Sequence, residues 1–171
     1  IINSTIKELI IDNEQLNSIH LDDNILFENV RFENISSLTN ISGYGNNFIS
    51  LVISNNPLLT NILLNQGNVL STQFSGLESL TSINLTNHNI SNIDVSQIEN
   101  ITHLELYKNN ISTIDLSNNT NLNYLSLGGN NFTDLDLSNN LNIKTLWLKE
   151  NNINSIDLIK NTLIERIGLD S

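Results

Sequence analysis

From Leu38 onward the apolar residues follow one fixed scheme. A leading aliphatic residue returns every 21 positions, at Leu38, Leu59, Leu80, Ile101, Leu122, Ile143 and Ile164. Each opens the spacing apolar-x-x-apolar-x-apolar, as in Leu80-Thr81-Ser82-Ile83-Asn84-Leu85 and Ile101-Thr102-His103-Leu104-Glu105-Leu106. Alternation of this kind sends successive side chains to opposite faces of a strand. After two further residues an Asn recurs, at Asn46, Asn109, Asn130 and Asn151. A second copy of the spacing follows, as in Ile111-Ser112-Thr113-Ile114-Asp115-Leu116, and Ser-Asn-Asn leads into the next period. One such unit cannot bury its apolar stripe alone, but stacked units can. Each coil then adds one strand to a parallel sheet at ~4.8 Å spacing, so seven coils run about 35 Å. The second half has no room for a helix and two loops, which predicts extended or short-strand segments. Phe48, Phe74 and Phe132 fall at inward positions of these segments, and Phe27 and Phe32 read the same way.

The spacing resembles the leucine-rich repeat, L-x-x-L-x-L-x-x-N-x-L, over roughly residues 16–171. The Ile-Asp-Leu-Ser second half looks like the 21-residue repeats of bacterial secreted and surface proteins. The resemblance implies a right-handed coil with a parallel β-sheet on its concave face and little or no α-helix. It also implies a ladder of inward asparagines, Asn24, Asn46, Asn109, Asn130 and Asn151, whose amides join the backbones of neighbouring coils. A buried turn needs its donors and acceptors satisfied, which gives that ladder a physical reason. Gly67 and His88 stand where ladder asparagines are expected, and Gly43 replaces an apolar strand residue. The expected organisation is one domain over 1–171. Residues 1–37 form an irregular N-terminal end, 38–163 six repeats and 164–171 a truncated last repeat. Residues 16–37 fit the register only with one extra residue. No basic-then-apolar segment opens the chain and residue 1 is Ile rather than Met, so it reads as a trimmed or processed piece of something longer.

Composition sharpens the picture. Asn supplies 34 residues and Leu plus Ile 53, while Ala and Met are absent. The best helix former is missing and β-branched Ile is abundant. The net charge of −11 argues against a reader of nucleic-acid phosphates. No Cys is present, which excludes disulfides, thiolate zinc sites and cysteine nucleophiles. No apolar run reaches the ~18 residues of a membrane span.

Register also names the residues on the open face of the sheet. The N-terminal and middle coils present mostly small polar groups. The C-terminal coils present His103, Glu105, Tyr107, Lys108, Tyr124, Trp147, Lys149 and Arg166. Tyr, Trp and Arg dominate interface energetics, and exposed aromatics also suit sugar stacking. This patch is the expected ligand site. Cross-strand packing of Tyr107 and Tyr124 is the competing explanation. Asp94, Asp115, Asp136 and Asp157 recur at one outward position. They form either a solvated acidic stripe or sites where a hard cation such as Ca²⁺ bridges two carboxylates; no EF-hand spacing is present, and no cofactor is expected. His88 reads as structural. His20 and His103 lie four coils apart, and no Ser-His-Asp arrangement, H-E-x-x-H or P-loop is legible, so no catalytic residue is assigned. Sequons at Asn89, Asn110 and Asn131 share one repeat position and read as by-products of the register.

The sequence therefore points to a non-catalytic recognition module of a secreted or cell-surface protein, binding a protein or a glycan on the concave face. The alternative is a structural spacer that acts through its solenoid ends. The apolar edge of Ile164, Ile167 and Leu169 would then meet a neighbouring domain or another copy. Neither reading involves nucleic acid or membrane insertion.

Overall fold

The computed structural model describes residues 8–11, 15–23 and 27–169. Asn24 of the expected ladder lies outside the described residues. The chain is a parallel β-solenoid of about seven turns, and no helix occurs among the described residues. The strands are β1 (Glu8–Ile11), β2 (Ser18–Asp22), β3 (Asn29–Glu33), β4 (Asn40–Tyr44), β5 (Ser50–Ser54) and β6 (Asn61–Asn65). They continue with β7 (Ser71–Ser75), β8 (Ser82–Asn84), β9 (His103–Glu105), β10 (Tyr124–Ser126), β11 (Thr145–Trp147) and β12 (Arg166–Gly168). Eight of them form one long sheet in the order β12-β11-β10-β9-β8-β6-β4-β2. The other four form a second sheet, β1-β3-β5-β7.

Register follows the repeat. Ile41 pairs with Ile62, Ile62 with Ile83, Leu104 with Leu125 and Leu125 with Leu146, each 21 residues on. Between β2 and β4 the offset is 22, as in Ile19 with Ile41, which is the extra residue of the N-terminal end. These aliphatic columns are the core. Leu38, Leu59, Leu80, Ile101, Leu122 and Ile143 are fully buried, and Phe32, Phe48 and Phe132 fill the space toward the second half of each coil. Each buried Leu or Ile contributes about 1.5–3 kcal/mol relative to exposure.

The second sheet stops after β7 for a reason visible in one column. Arg31, Val52 and Gln73 occupy its middle position in β3, β5 and β7; Asp94, Asp115, Asp136 and Asp157 occupy it afterwards. Each of these carboxylates accepts the backbone N–H two residues on, from Ser96, Ser117, Ser138 and Ile159, at 2.8–2.9 Å. This Asx turn bends the backbone out of the extended path. The N-terminal coils therefore carry two sheets and the C-terminal coils one sheet backed by turns.

Two asparagine ladders tie the coils. Asn109, Asn130 and Asn151 each accept an N–H from the preceding coil (Ile90, Ile111, Phe132) and donate to its carbonyls (Leu85, Leu106, Leu127). Asn46 donates to Leu21 O at 2.8 Å, across the space that Gly43 leaves open. His88 does both jobs in this ladder: Nε2 donates to Leu64 O at 2.8 Å and Nδ1 accepts from the Val69 N–H at 3.3 Å. The second ladder, Asn56, Asn119, Asn140 and Asn161, went unread in the sequence, although its signal was present as the last Asn of Ser-Asn-Asn at the first three and of Ile-Lys-Asn at Asn161.

Candidate functional site

The candidate residues stand on and just beyond β9–β12. His103 and Glu105 flank the buried Leu104, so both side chains leave the same face of β9. Their side chains lie 3.7 Å apart, and Glu105 also accepts from the Asn84 amide at 2.7 Å. One coil on, the Tyr124 ring stacks on the His103 ring with centroids 4.1 Å apart and planes 7° from parallel. Burial, and then the negative charge of Glu105, raise the Tyr124 phenol above its ordinary value, while hydrogen bonds with Ser126 and Trp147 pull it back. Trp147 is half-buried and lies over Gly168; a Cβ at Gly168 would collide with the indole ring, 2.6 Å from Cζ3. Its expected exposure to solvent is thus partial. His103, Glu105, Tyr124 and Trp147 form one connected cluster, with Asn84 bonded at its Glu105 end and Ser126 at Tyr124.

Tyr107, Lys108 and Lys149 belong to a second group at the turn leaving the strands. The Tyr107 ring covers Gly128, where an added Cβ would sit 3.1 Å from Cδ2. Its hydroxyl reaches two coils on and donates to Glu150 Oε1 at 3.3 Å. Lys108 Nζ stands 5.1 Å from the Tyr107 ring centroid. Lys108 and Glu150 have left-handed backbones (φ 56° and 60°), a conformation shared with Asp23, Gly45, Gln66, Asn87 and Gly129 in the same column. Arg166 is exposed on β12, in register with Thr145. Asn84 and Glu150 were missed as site members, yet both lie in columns that the 21-residue period defines.

The N-terminal coils hold more than small polar groups. Tyr44 is 51% exposed and Leu63 44%, so two large side chains also stand on the open face there. The reading that no Ser-His-Asp arrangement exists also needs correction. His20 Nδ1 lies 2.9 Å from Ser42 Oγ and Nε2 donates to Asp22 Oδ2 at 2.7 Å. The parallel pairing of His20 with Ser42 creates this chain, which no linear motif announces. The backbone of β2 and β4 is held in the parallel ladder, and Asp22 Oδ1 accepts the Tyr44 N–H at 3.0 Å. An acyl-transfer site also needs donors aimed at a developing oxyanion.

Among the described residues no three His, Asp or Glu side chains converge as a metal would require. The Asp column is instead engaged with its own turns. Hydrogen bonds from Ser96, Ser117 and Ser138 hold the Asp94, Asp115 and Asp136 carboxyls below their ordinary value. No helix among the described residues is long and apolar enough to cross a membrane.

No family model matches the chain, and no curated protein matches it. Solved structures do. The internalin InlF of Listeria monocytogenes superposes with a TM-score of 0.68 at 20% identity, over 90% of this chain and 48% of that one. The functional domain of InlJ from the same organism gives 0.65 at 18% identity, over 84% and 39%. A leucine-rich-repeat protein of Leptospira interrogans gives 0.53 at 15% identity, over 85% and 55%. The fold is the leucine-rich-repeat coil. The InlJ domain includes a cysteine ladder, whereas the leucine-rich-repeat chain here has no cysteine and ties its coils with asparagine and one histidine. It spans about two fifths to just over half the length of these leucine-rich-repeat neighbours.

Proposed function

We propose that this coil is a recognition module that binds a protein partner on the open face of β9–β11. One observation carries the reading: the stacked His103–Tyr124 pair, bounded by Glu105 and Trp147, is a rigid aromatic surface. Aromatic anchors held before binding lose little freedom on association, so more of their contact energy appears as affinity. The mixed rim of Glu150, Lys108, Lys149 and Arg166 supports orientation of a protein surface more than a uniform charge would. Binding is non-catalytic in this reading. Export to a cell surface belongs to the same proposal, and the parent gene tests it by the presence of a leader upstream of Ile1.

The test is ligand capture from a panel of purified surface proteins and glycans, with Trp147→Ala and Tyr124→Ala beside the parent chain. The expected result is capture of a protein, weakened at least tenfold in both variants, with the fold unchanged by circular dichroism. Capture of a glycan alone moves the ligand class, and capture that survives both substitutions removes the site. A second reading is an assembly segment that acts through the solenoid ends. Light scattering over a concentration series separates that reading from a monomeric binder.

A further inference from the structure

The second asparagine ladder contains a repeated unpaired acceptor. Asn119, Asn140 and Asn161 are 0%, 1% and 4% exposed. Each Nδ2 donates to two carbonyls of the preceding coil: Val95 and Ile98, Leu116 and Asn119, Leu137 and Asn140. Two acceptors on the same atom fix that atom as nitrogen and so fix the amide orientation. Each Oδ1 is then buried, and no donor among the described residues reaches it.

The cause is the same Asx switch that ends the second sheet. In the N-terminal coils Asn56 occupies this column, and its Oδ1 accepts the N–H of Ile35, 21 residues back, at 3.0 Å. The equivalent donors for Asn119, Asn140 and Asn161 are the N–H groups of Ile98, Asn119 and Asn140. All three are engaged in local turns, donating to Val95 O, Leu116 O and Leu137 O at 2.9–3.0 Å. The Asp turns have redirected the donors, and three identical acceptors are left behind them. A buried carbonyl without a donor is costly, and native proteins meet that need with internal water. The surface cleft between the last two turns, lined by Asp134, Ser138, Ser155, Asp157 and Asn161, has a volume of about 370 Å³ and reaches Asn161, the last member of the column.

We propose that the column Asn119–Asn140–Asn161 is a binding site for a file of internal water molecules, one per coil, each donating to Oδ1. The water replaces the backbone donor that Asn56 finds in Ile35. It makes the turn-backed half of the solenoid a hydrated seam.

Magnetic relaxation dispersion of water nuclei counts long-residence internal waters in the intact chain. Asn140→Leu is the informative variant, because Leu77 and Ile98 already fill this column while buried. The carbonyls that lose Asn140 keep a partner: Leu116 O accepts the Asn119 N–H and Asn119 O accepts the Leu122 N–H. The expected result is a folded variant with one fewer long-residence water. If Asn140→Leu does not fold, Asn161→Leu in the following coil gives the same readout. An unchanged count in a folded variant overturns the proposal. So does a crystal structure at hydrogen-resolving resolution in which protein N–H groups fill all three Oδ1 positions.

Discussion

His88 occupies the space that Gly67 leaves. The two residues stand one coil apart in the asparagine ladder, and a Cβ on Gly67 would press on His88 Cε1 (2.6 Å) and Nδ1 (2.9 Å) and collide with the carbonyl oxygen of Asn46. A ring larger than the usual amide therefore fits because its neighbour has no side chain. Gly67→Ala should destabilise the coil by about 1–3 kcal/mol, the ordinary cost of overpacking. His88→Asn should not rescue it, since the Asn46 carbonyl still blocks the added carbon. Urea unfolding of the two single variants and the double variant checks both statements.

The same ladder role makes stability depend on pH. Nε2 donates to Leu64 O and Nδ1 accepts from Val69 N–H, so the ring must be neutral to hold both bonds. Burial lowers its pKa below the ordinary 6.5, against the raising effect of the backbone hydrogen bonds at Leu64 and Gly67. The unfolded state then binds the proton more tightly, and stability falls as pH drops below 6.5 toward the folded value. Above 6.5 this contribution is complete. Thermal unfolding between pH 7.5 and 5 should show a decline that His88→Asn removes; an equal decline in the variant would assign it elsewhere.

The Asp turns give a second pH effect at lower pH. Their hydrogen bonds from Ser96, Ser117 and Ser138 lower the carboxyl pKa values from 3.8 in Asp94, Asp115 and Asp136. The favourable contribution is therefore present above 3.8 and disappears as pH falls through each folded value. Carbon-detected NMR titration should place all three below 3.8, and Ser117→Ala should raise Asp115 while leaving Asp136 in place.

The turn after each strand of the long sheet from β2 to β11 requires a left-handed residue. Gly45 and Gly129 adopt it freely, whereas Gln66, Lys108 and Glu150 carry a side chain there. That conformation costs an L residue about 1–2 kcal/mol, part of which glycine returns through its larger unfolded entropy. Gln66→Gly should raise stability by up to about 1 kcal/mol. Gly129→Ala should lower it, because φ is +64° and the added carbon meets Lys108 Cγ at 2.9 Å. Opposite shifts of the urea midpoint are the expected readout.

Much of this coil was legible in the sequence because its information is periodic. A 21-residue spacing sets register, and register sets which of Leu104, Glu105 and Leu106 points inward. The ladder role of His88 and the turn-side position of Lys108 follow the same rule. Contacts between columns were less legible. The Ser42–His20–Asp22 chain and the Tyr107–Glu150 bond join residues whose adjacency depends on side-chain reach across one or two coils. The end of the second sheet was written in the change from Gln73 to Asp94, but its meaning depends on whether a carboxylate turns back to its own backbone.

The ring pair at the candidate site can be measured without its ligand. His103 and Tyr124 stack nearly parallel, and aromatic pairs contribute about 0.5–1.5 kcal/mol beyond their buried area. A double-mutant cycle of His103→Ala and Tyr124→Ala should therefore give a coupling energy in that range. Glu105 lies beside His103 and contributes to the raised Tyr124 phenol. Glu105→Gln should accordingly lower the Tyr124 titration midpoint, read by ultraviolet absorbance, while the ring stack persists in NMR chemical shifts. No coupling in the cycle would mean that the two rings are independent surface groups, and the rigid platform on which the proposed binding rests would be lost.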